Sequence, residues 1–247
     1  GYNVALKNIA VDMAPYYYSA GKVIEVQGDK VAIEVFSGHP MIDGQKAYIM
    51  GTYDLEARKA KAVRITWDED LPQWHIDGEE SSRRMTMHFD PLAQLCRVGD
   101  GVFWFQGNHA GSMIGFSGIN GLLLENVHIL NGHGFPITNN SCHDITYRNV
   151  TIKPEGNRIA TVCRDGFKLY AASGKVLMDS VHIEGCLGDD AQNIHGTWLA
   201  VSEKRSAKEL VVGSGRNPLT PGKEVVLLDD KFRPAWRSKV VKSVMED

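Results

Sequence analysis

The chain has 247 residues, 43% of them hydrophobic and 23% charged, with a formal net charge of −3, values ordinary for a globular protein with enough apolar material for a sizeable core. So weak a charge gives no electrostatic footprint for nucleic acid or an anionic membrane, and no apolar run approaches the roughly 18 residues a membrane span needs. The four cysteines (Cys96, Cys142, Cys163, Cys186) form no CxxC pair, which argues against a zinc site and for buried free thiols, with disulfides left open. No cofactor or metal is expected.

The chain opens at Gly1-Tyr2-Asn3-Val4, neither an initiator methionine nor a signal peptide, and reads as the cut end of a longer or processed protein. Leu6-Lys7-Asn8-Ile9-Ala10-Val11 then introduces a pattern found four times. The other copies are Leu124-Glu125-Asn126-Val127-His128-Ile129, Tyr147-Arg148-Asn149-Val150-Thr151-Ile152 and Met178-Asp179-Ser180-Val181-His182-Ile183. The Val-x-Ile alternation within them has the period of two of a strand with one buried face. Measured at the valine, the last three copies are 150 − 127 = 23 and 181 − 150 = 31 residues apart, lengths suited to one coil of a parallel β-helix. Stacked in this register, Lys7, Glu125, Arg148 and Asp179 alternate in sign, and each opposite pair contributes roughly 0.2–1 kcal/mol. Asn8, Asn126, Asn149 and Ser180 form a column suited to a polar ladder.

The first copy precedes the second by 127 − 9 = 118 residues, far more than one coil, so an insertion is predicted over residues 22–106 after a coil at 1–21. Within it, Val23-Ile24-Glu25-Val26 and Val31-Ala32-Ile33-Glu34-Val35 flank Gly28-Asp29 as a hairpin would. The rest reads as short strands and turns, predicting a small β-barrel. Tyr16-Tyr17-Tyr18, Trp67, Trp74 and Trp104 suit the core of such a barrel better than a sugar-stacking surface. The coils resume over 107–200. Residues 201–247 echo the insertion at a constant offset of 178, pairing Gly44 with Gly222, Ala57 with Ala235, Lys61 with Lys239 and Val63 with Val241. They are predicted to begin a second barrel that is cut short. The expected fold class is all-β, a right-handed parallel β-helix interrupted by β-barrel insertions.

A second pattern follows the strands: His133-Gly134-Phe135-Pro136-Ile137, Asp165-Gly166-Phe167-Lys168-Leu169 and Asp190-Ala191-Gln192-Asn193-Ile194. Aligned, it puts His133, Asp165 and Asp190 in one column, with Asp189 beside the last. Neighbouring strands lie about 4.8 Å apart, so these carboxylates would repel and raise at least one pKa. Glycoside hydrolysis uses such an arrangement, because one carboxyl must keep its proton while another stays ionised. Adjacent residues on a strand face opposite ways, so Asp189 and Asp190 share a site only if the strand bends, which Gly188 permits. An Asp-Asp pair also suits a turn or a calcium site, and Asp165-Gly166 is a common turn dipeptide; the shared column favours catalysis. His133, Asn193 and His195 are candidates for binding sugar hydroxyls. His128 and His182 fall in an outward column with Ala10 and Thr151 and are discounted, and Gly213-Ser214-Gly215 lacks the strand-to-helix setting of a dinucleotide site.

Asp165-Gly166-Phe167, followed by Gly188-Asp189-Asp190-Ala191-Gln192-Asn193-Ile194-His195-Gly196-Thr197, resembles the bacterial α-1,3-galactosidases of glycoside hydrolase family 110. Asn8-Ile9-Ala10-Val11-Asp12, running through Pro15 into Gly21-Lys22-Val23-Ile24, is similar to that family's approach to its first barrel, so the likeness covers nearly the whole chain. It implies a β-helix carrying two barrels and inverting hydrolysis of terminal α-linked galactose on a glycan, in a periplasmic or secreted setting. Asp189 would be the general acid, and Asp165 with Asp190 would hold and deprotonate the attacking water. Three other readings stand beside it. Polygalacturonases of family 28 also use an Asp and an Asp pair, but they want a Gly-His-Gly after the pair, whereas Gly132-His133-Gly134 precedes it here. A lyase would draw on Arg164 and Lys168, and a non-catalytic β-helix would bind glycans without turnover.

Overall fold

The computed structural model describes residues 1–66, 70–107, 111–196, 198–213, 219 and 221–244, and the chain falls into two compact units, Gly1–His195 and Gly196–Asp247. Trp67, Thr197, Ser214 and Gly215 lie outside the described residues. The fold is all-β with parallel sheets.

The first unit begins with β1 (Tyr2–Asp12). A segment that starts four residues before the insertion predicted at 22 then contributes β2 (Tyr18–Gln27), β3 (Lys30–Val35), β4 (Gln45–Lys46), β5 (Tyr48–Asp54), β6 (Lys59–Ala62), β7 (Gln73–Ile76), β8 (Arg84–His88), the short helix α1 (Asp90–Leu95) and β9 (Gly101–Phe105). The expected hairpin is β2–β3: Gln27 pairs with Lys30 across Gly28-Asp29, where Gly28 takes the positive φ of 61° that a tight turn demands. These strands form one eight-stranded antiparallel sheet in the order β4-β7-β8-β3-β2-β9-β5-β6. Ala47 alone separates β4, at one edge, from β5, near the other, so the sheet must curl. The curl closes over a core in which Trp74 and Trp104 are fully buried and stacked at 4.8 Å, and Trp104 Nε1 donates to Gln45 Oε1 at 3.2 Å. Of the tryptophans and tyrosines considered for sugar stacking, Tyr18, Trp74 and Trp104 are core residues.

Next come β10 (Ser112–Ser117), β11 (Asn120–Asn131), β12 (Phe135–Asn140), β13 (His143–Ile152), β14 (Phe167–Tyr170), β15 (Ser173–Ile183) and β16 (Gln192–His195), which fall alternately into two parallel sheets, β1-β11-β13-β15 and β10-β12-β14-β16. In the first sheet Ile9 pairs with Val127, Val127 with Val150 and Val150 with Val181, as the repeat predicted. The charge column forms: Lys7 and Arg148 each reach Glu125 at 2.8 Å, and Arg148 lies 3.8 Å from Asp179. Glu125 is accordingly held below the usual carboxylate range by bonds from both cations.

The asparagine column has a cause beyond laddering. Asn8, Asn126, Asn149 and Ser180 all adopt left-handed backbone, φ 50–57°, a region that asparagine tolerates better than most residues. Simple alternation would send Leu124 and Val127 to opposite faces, yet both are fully buried. The left-handed residue between them turns the strand through a corner and restores the inward parity. Asn126 and Asn149 then each donate 2.8 Å bonds down the column, to Asn8 and Asn126 respectively, while Ser180 bonds Asp179. Two further columns repeat the device: Asn3, Gly121, Asp144 and Gly174, and Gly118, Ser141 and Ala171, all with positive φ. Leu122, Leu124, Val127, Ile129, Ile137, Ile145, Tyr147, Val150, Ile152, Phe167 and Leu169 fill the core between the sheets.

A third cluster unites Tyr18, Ala20, Ile49, Tyr53, Phe103 and Phe105 of the curled sheet with Ile159, Ala160 and Cys163 of the segment between β13 and β14. The inserted sheet is thereby packed against the chain leading to Asp165.

The second unit contains two hairpins, β17 (Val201–Lys204) with β18 (Leu210–Val212), and β19 (Glu224–Leu228) with β20 (Pro234–Lys239). Subtracting 178 carries them to residues 23–26 and 32–34, inside β2 and β3, and to 46–50 and 56–61, overlapping β4, β5 and β6. Among the described residues no disulfide joins the four cysteines. Among the described residues no helix is long and apolar enough to cross a membrane.

Candidate functional site

Asp165, Asp189 and Asp190 converge: each offers a carboxylate oxygen, and these atoms lie within 4.8 Å of one another. The backbone shows how two adjacent aspartates reach one partner. Upstream, Val162 bridges to Cys186 at an offset of 186 − 162 = 24; downstream, Phe167 pairs with Gln192 at 192 − 167 = 25. The later segment therefore carries one extra residue opposite Asp165. The slip bends the chain there, so the side chains of the pair need not alternate. Gly166 N–H donates to Asp190 O at 3.0 Å, which fastens the two segments just below the carboxylates.

Both glycines are required by close packing. A Cβ on Gly166 would meet the Ala191 carbonyl oxygen at 2.6 Å, and one on Gly188 would run into the Cys163 carbonyl oxygen and touch Ile49 at 3.0 Å.

The three carboxyls sit in different surroundings. Asp165 is only 1% exposed, and its Oδ1 has no hydrogen-bond partner among the described residues. Burial, and then the charge of Asp189, push its pKa up; Lys168, 3.9 Å away, and a backbone bond from Asp190 pull the other way, and the Asp190 charge adds a smaller upward push. Asp189 is partly exposed and held on both oxygens: Arg64 Nη2 lies 2.9 Å from Oδ1 and Arg164 Nη1 3.5 Å from Oδ2. Asp190 is exposed. Beside them, Cys186 has its thiol pushed up to about 12 by burial, then by Asp165, Asp189 and Cys163, so it is protonated at neutral pH and unsuited to act as a nucleophile.

The substrate-binding candidates fare unevenly. His133 does not share the aspartate column, which is a correction. Ile137 pairs with Phe167, an offset of 167 − 137 = 30, whereas aligning His133 with Asp165 assumed 165 − 133 = 32. Phe135 therefore stands level with Asp165, and Lys168 Nζ lies 4.6 Å from its ring centroid. His133 packs instead on Tyr17, with ring centroids 5.0 Å apart. Asn193 pairs with Lys168, whose ammonium lies 3.9 Å from Asp165. His195 pairs with Tyr170, three positions farther along than Phe167, and their rings meet edge-on at 4.8 Å. His128 and His182 occupy the outward column with Ala10 and Thr151 as expected.

Two residues of the site carried no local sequence signal. Arg64 comes from the inserted sheet, 189 − 64 = 125 residues from its partner, and Phe135 was hidden by the register error. The three carboxylates have the spacing to hold a divalent cation, but Asp189 is already paired with Arg64 and Arg164, and Lys168 lies 3.9 Å from Asp165. Compared with protein-family models and with curated proteins, the chain gave no match.

Proposed function

We propose that the chain is a glycoside hydrolase that releases terminal α-1,3-linked galactose from a glycan with inversion, and that its parallel sheets are faces of a right-handed β-helix into which the curled sheet is inserted as a β-barrel. Support for the fold reading is that successive strands alternate between two parallel sheets and that left-handed residues recur at three fixed columns, as repeated circuits with common corners require.

The observation that carries the function is the carboxyl trio with one buried member. Glycoside hydrolysis needs a proton donor and a proton acceptor at one locus, and unlike environments for neighbouring carboxyls are how proteins separate those tasks. In this reading the exposed Asp190, backed by Asp165, takes a proton from water as its oxygen bonds to the anomeric carbon. Asp189 gives a proton to the departing glycosidic oxygen as the carbon–oxygen bond breaks. Asp165 is too buried to touch a sugar, and its raised proton affinity lets it share the proton Asp190 receives. Phe135, Lys168 and Asn193 border the place a sugar ring would occupy. A periplasmic or secreted setting belongs to the same proposal.

The test is a panel of nitrophenyl glycosides, galactose-terminated oligosaccharides and polyuronates. Galactose should be released, with the β-anomer appearing first by NMR, and Asp189→Asn should lose roughly 10²–10⁴-fold in turnover while keeping its circular dichroism. Unimpaired turnover in that variant ends the acid role, and an α-anomer formed first ends inversion. Unsaturated uronate products would indicate a lyase, and no product from any glycoside would overturn the enzymatic reading.

A further inference from the structure

The inserted sheet does more than occupy the surface beside the carboxyls. Arg64 follows β6, and its guanidinium makes two contacts with the Asp189 turn: Nε donates to the Gly188 carbonyl at 2.8 Å, and Nη2 to Asp189 Oδ1 at 2.9 Å. One planar group thus fixes the turn's backbone and its carboxylate together, a geometry suited to arginine and unavailable to a point charge.

The backbone that presents Arg64 is held in sparsely populated conformations. Arg64 itself has φ 57°, and Ile49, against which a Gly188 Cβ would press, has φ 43° although it is β-branched. Such conformations persist where surroundings over-determine them. Here Ile65 N–H donates to Met50 O at 2.9 Å, Met50 N–H to Thr66 Oγ1 at 3.0 Å, and Thr66 Oγ1–H to Ala47 O at 2.8 Å, the last two bonds buried. Ile49 is packed with Cys163 in the cluster that joins the sheet to the Asp165 segment. Left-handed backbone, hydrogen bonds and cluster converge on placing one guanidinium.

We propose that Arg64 is the positioning residue of Asp189, supplied by the inserted sheet; this rests on the reading of Asp189 as the proton donor. Removing Arg64 releases the carboxylate from its fixed orientation, and misplacement of a reacting group by about 1 Å can cost on the order of 10²-fold in rate.

The experiment measures kcat and KM on a galactose-terminated oligosaccharide for wild type, Arg64→Gln and Arg64→Lys. Arg64→Gln is expected to lower kcat by about 10- to 100-fold with KM within about threefold. Arg64→Lys keeps a charge but not the two-pronged contact, so it should lower kcat too. Unchanged kcat in Arg64→Gln would overturn the assignment while leaving the hydrolase reading intact. Should Arg64→Gln fail to fold, the lysine variant decides alone, and wild-type kcat in it would count against the proposal. Should wild type itself release no galactose, the hydrolase reading fails, and the thermal midpoints of Arg64→Gln, Asp189→Asn and the double variant judge the clamp. Non-additive shifts uphold it, and additive shifts remove it.

Discussion

His39 provides a measure of how firmly the inserted sheet is closed. Its ring sits among Tyr16, Tyr18 and Phe36, at centroid distances of 5.0, 4.8 and 6.2 Å. Nδ1 lies 3.4 Å from the Tyr18 carbonyl, and Nε2 is buried with no hydrogen-bond partner among the described residues. A second proton would place a charge in this aromatic cage. Burial therefore lowers the pKa from 6.5 to about 4; the Tyr18 carbonyl opposes the shift, and Arg83 and Arg158 add to it. Between those values the unfolded chain binds a proton that the folded chain refuses. The neutral-histidine contribution is complete above about pH 6.5 and drains away as pH falls to about 4, amounting to 6.5 − 4 = 2.5 pKa units, or about 3 kcal/mol. Urea unfolding of wild type and His39→Gln at pH 7.5 and pH 4 isolates this group from the carboxylates common to both. The stability difference between the two proteins should shift by about 3 kcal/mol in the variant's favour on acidification. Curves that stay parallel would mean that His39 accepts its proton within the fold, and the cage argument would fail.

Two further substitutions test local geometry. Gly188→Ala presses a Cβ into the Cys163 backbone carbonyl, so it should destabilise by roughly 1–3 kcal/mol and abolish turnover together, because the turn that carries Asp189 and Asp190 must move; a variant with wild-type melting and activity would contradict the close approach. Asn149→Ala loses the bond to Asn126 and strains a left-handed residue, for about 1–2 kcal/mol by urea unfolding, whereas Asn149→Gly should recover the backbone part. Equal losses in both would show that the corner does not depend on left-handed backbone.

The repeat was legible because its physics is local. Val-x-Ile alternation and the stacking of Lys7, Glu125, Arg148 and Asp179 depend on residue type and spacing alone, and the observed pairing follows them residue for residue. The β2–β3 hairpin was legible for the same reason, through Gly28-Asp29. Asn126 and Asn149 were read as ladder residues when their prior task is to turn the backbone, since a sequence shows which side chains can bond but not which φ they adopt. His133 was misplaced because small-polar-aliphatic spacing tolerates a two-residue error that leaves every side chain on its expected face.

By itself, then, the amino-acid order determined an all-β chain, the pairing of its first parallel sheet and the three aspartates worth bringing together. Tertiary structure alone decided that an extra residue bends Asp189 and Asp190 toward Asp165, that Phe135 rather than His133 stands beside them, and that Arg64 grips Asp189 from 125 residues away. Short-range periodicity is written into neighbouring residues. A contact between a strand edge of an inserted sheet and a distant turn arises only when packing of Ile49, Cys163 and their cluster brings the two backbones within reach.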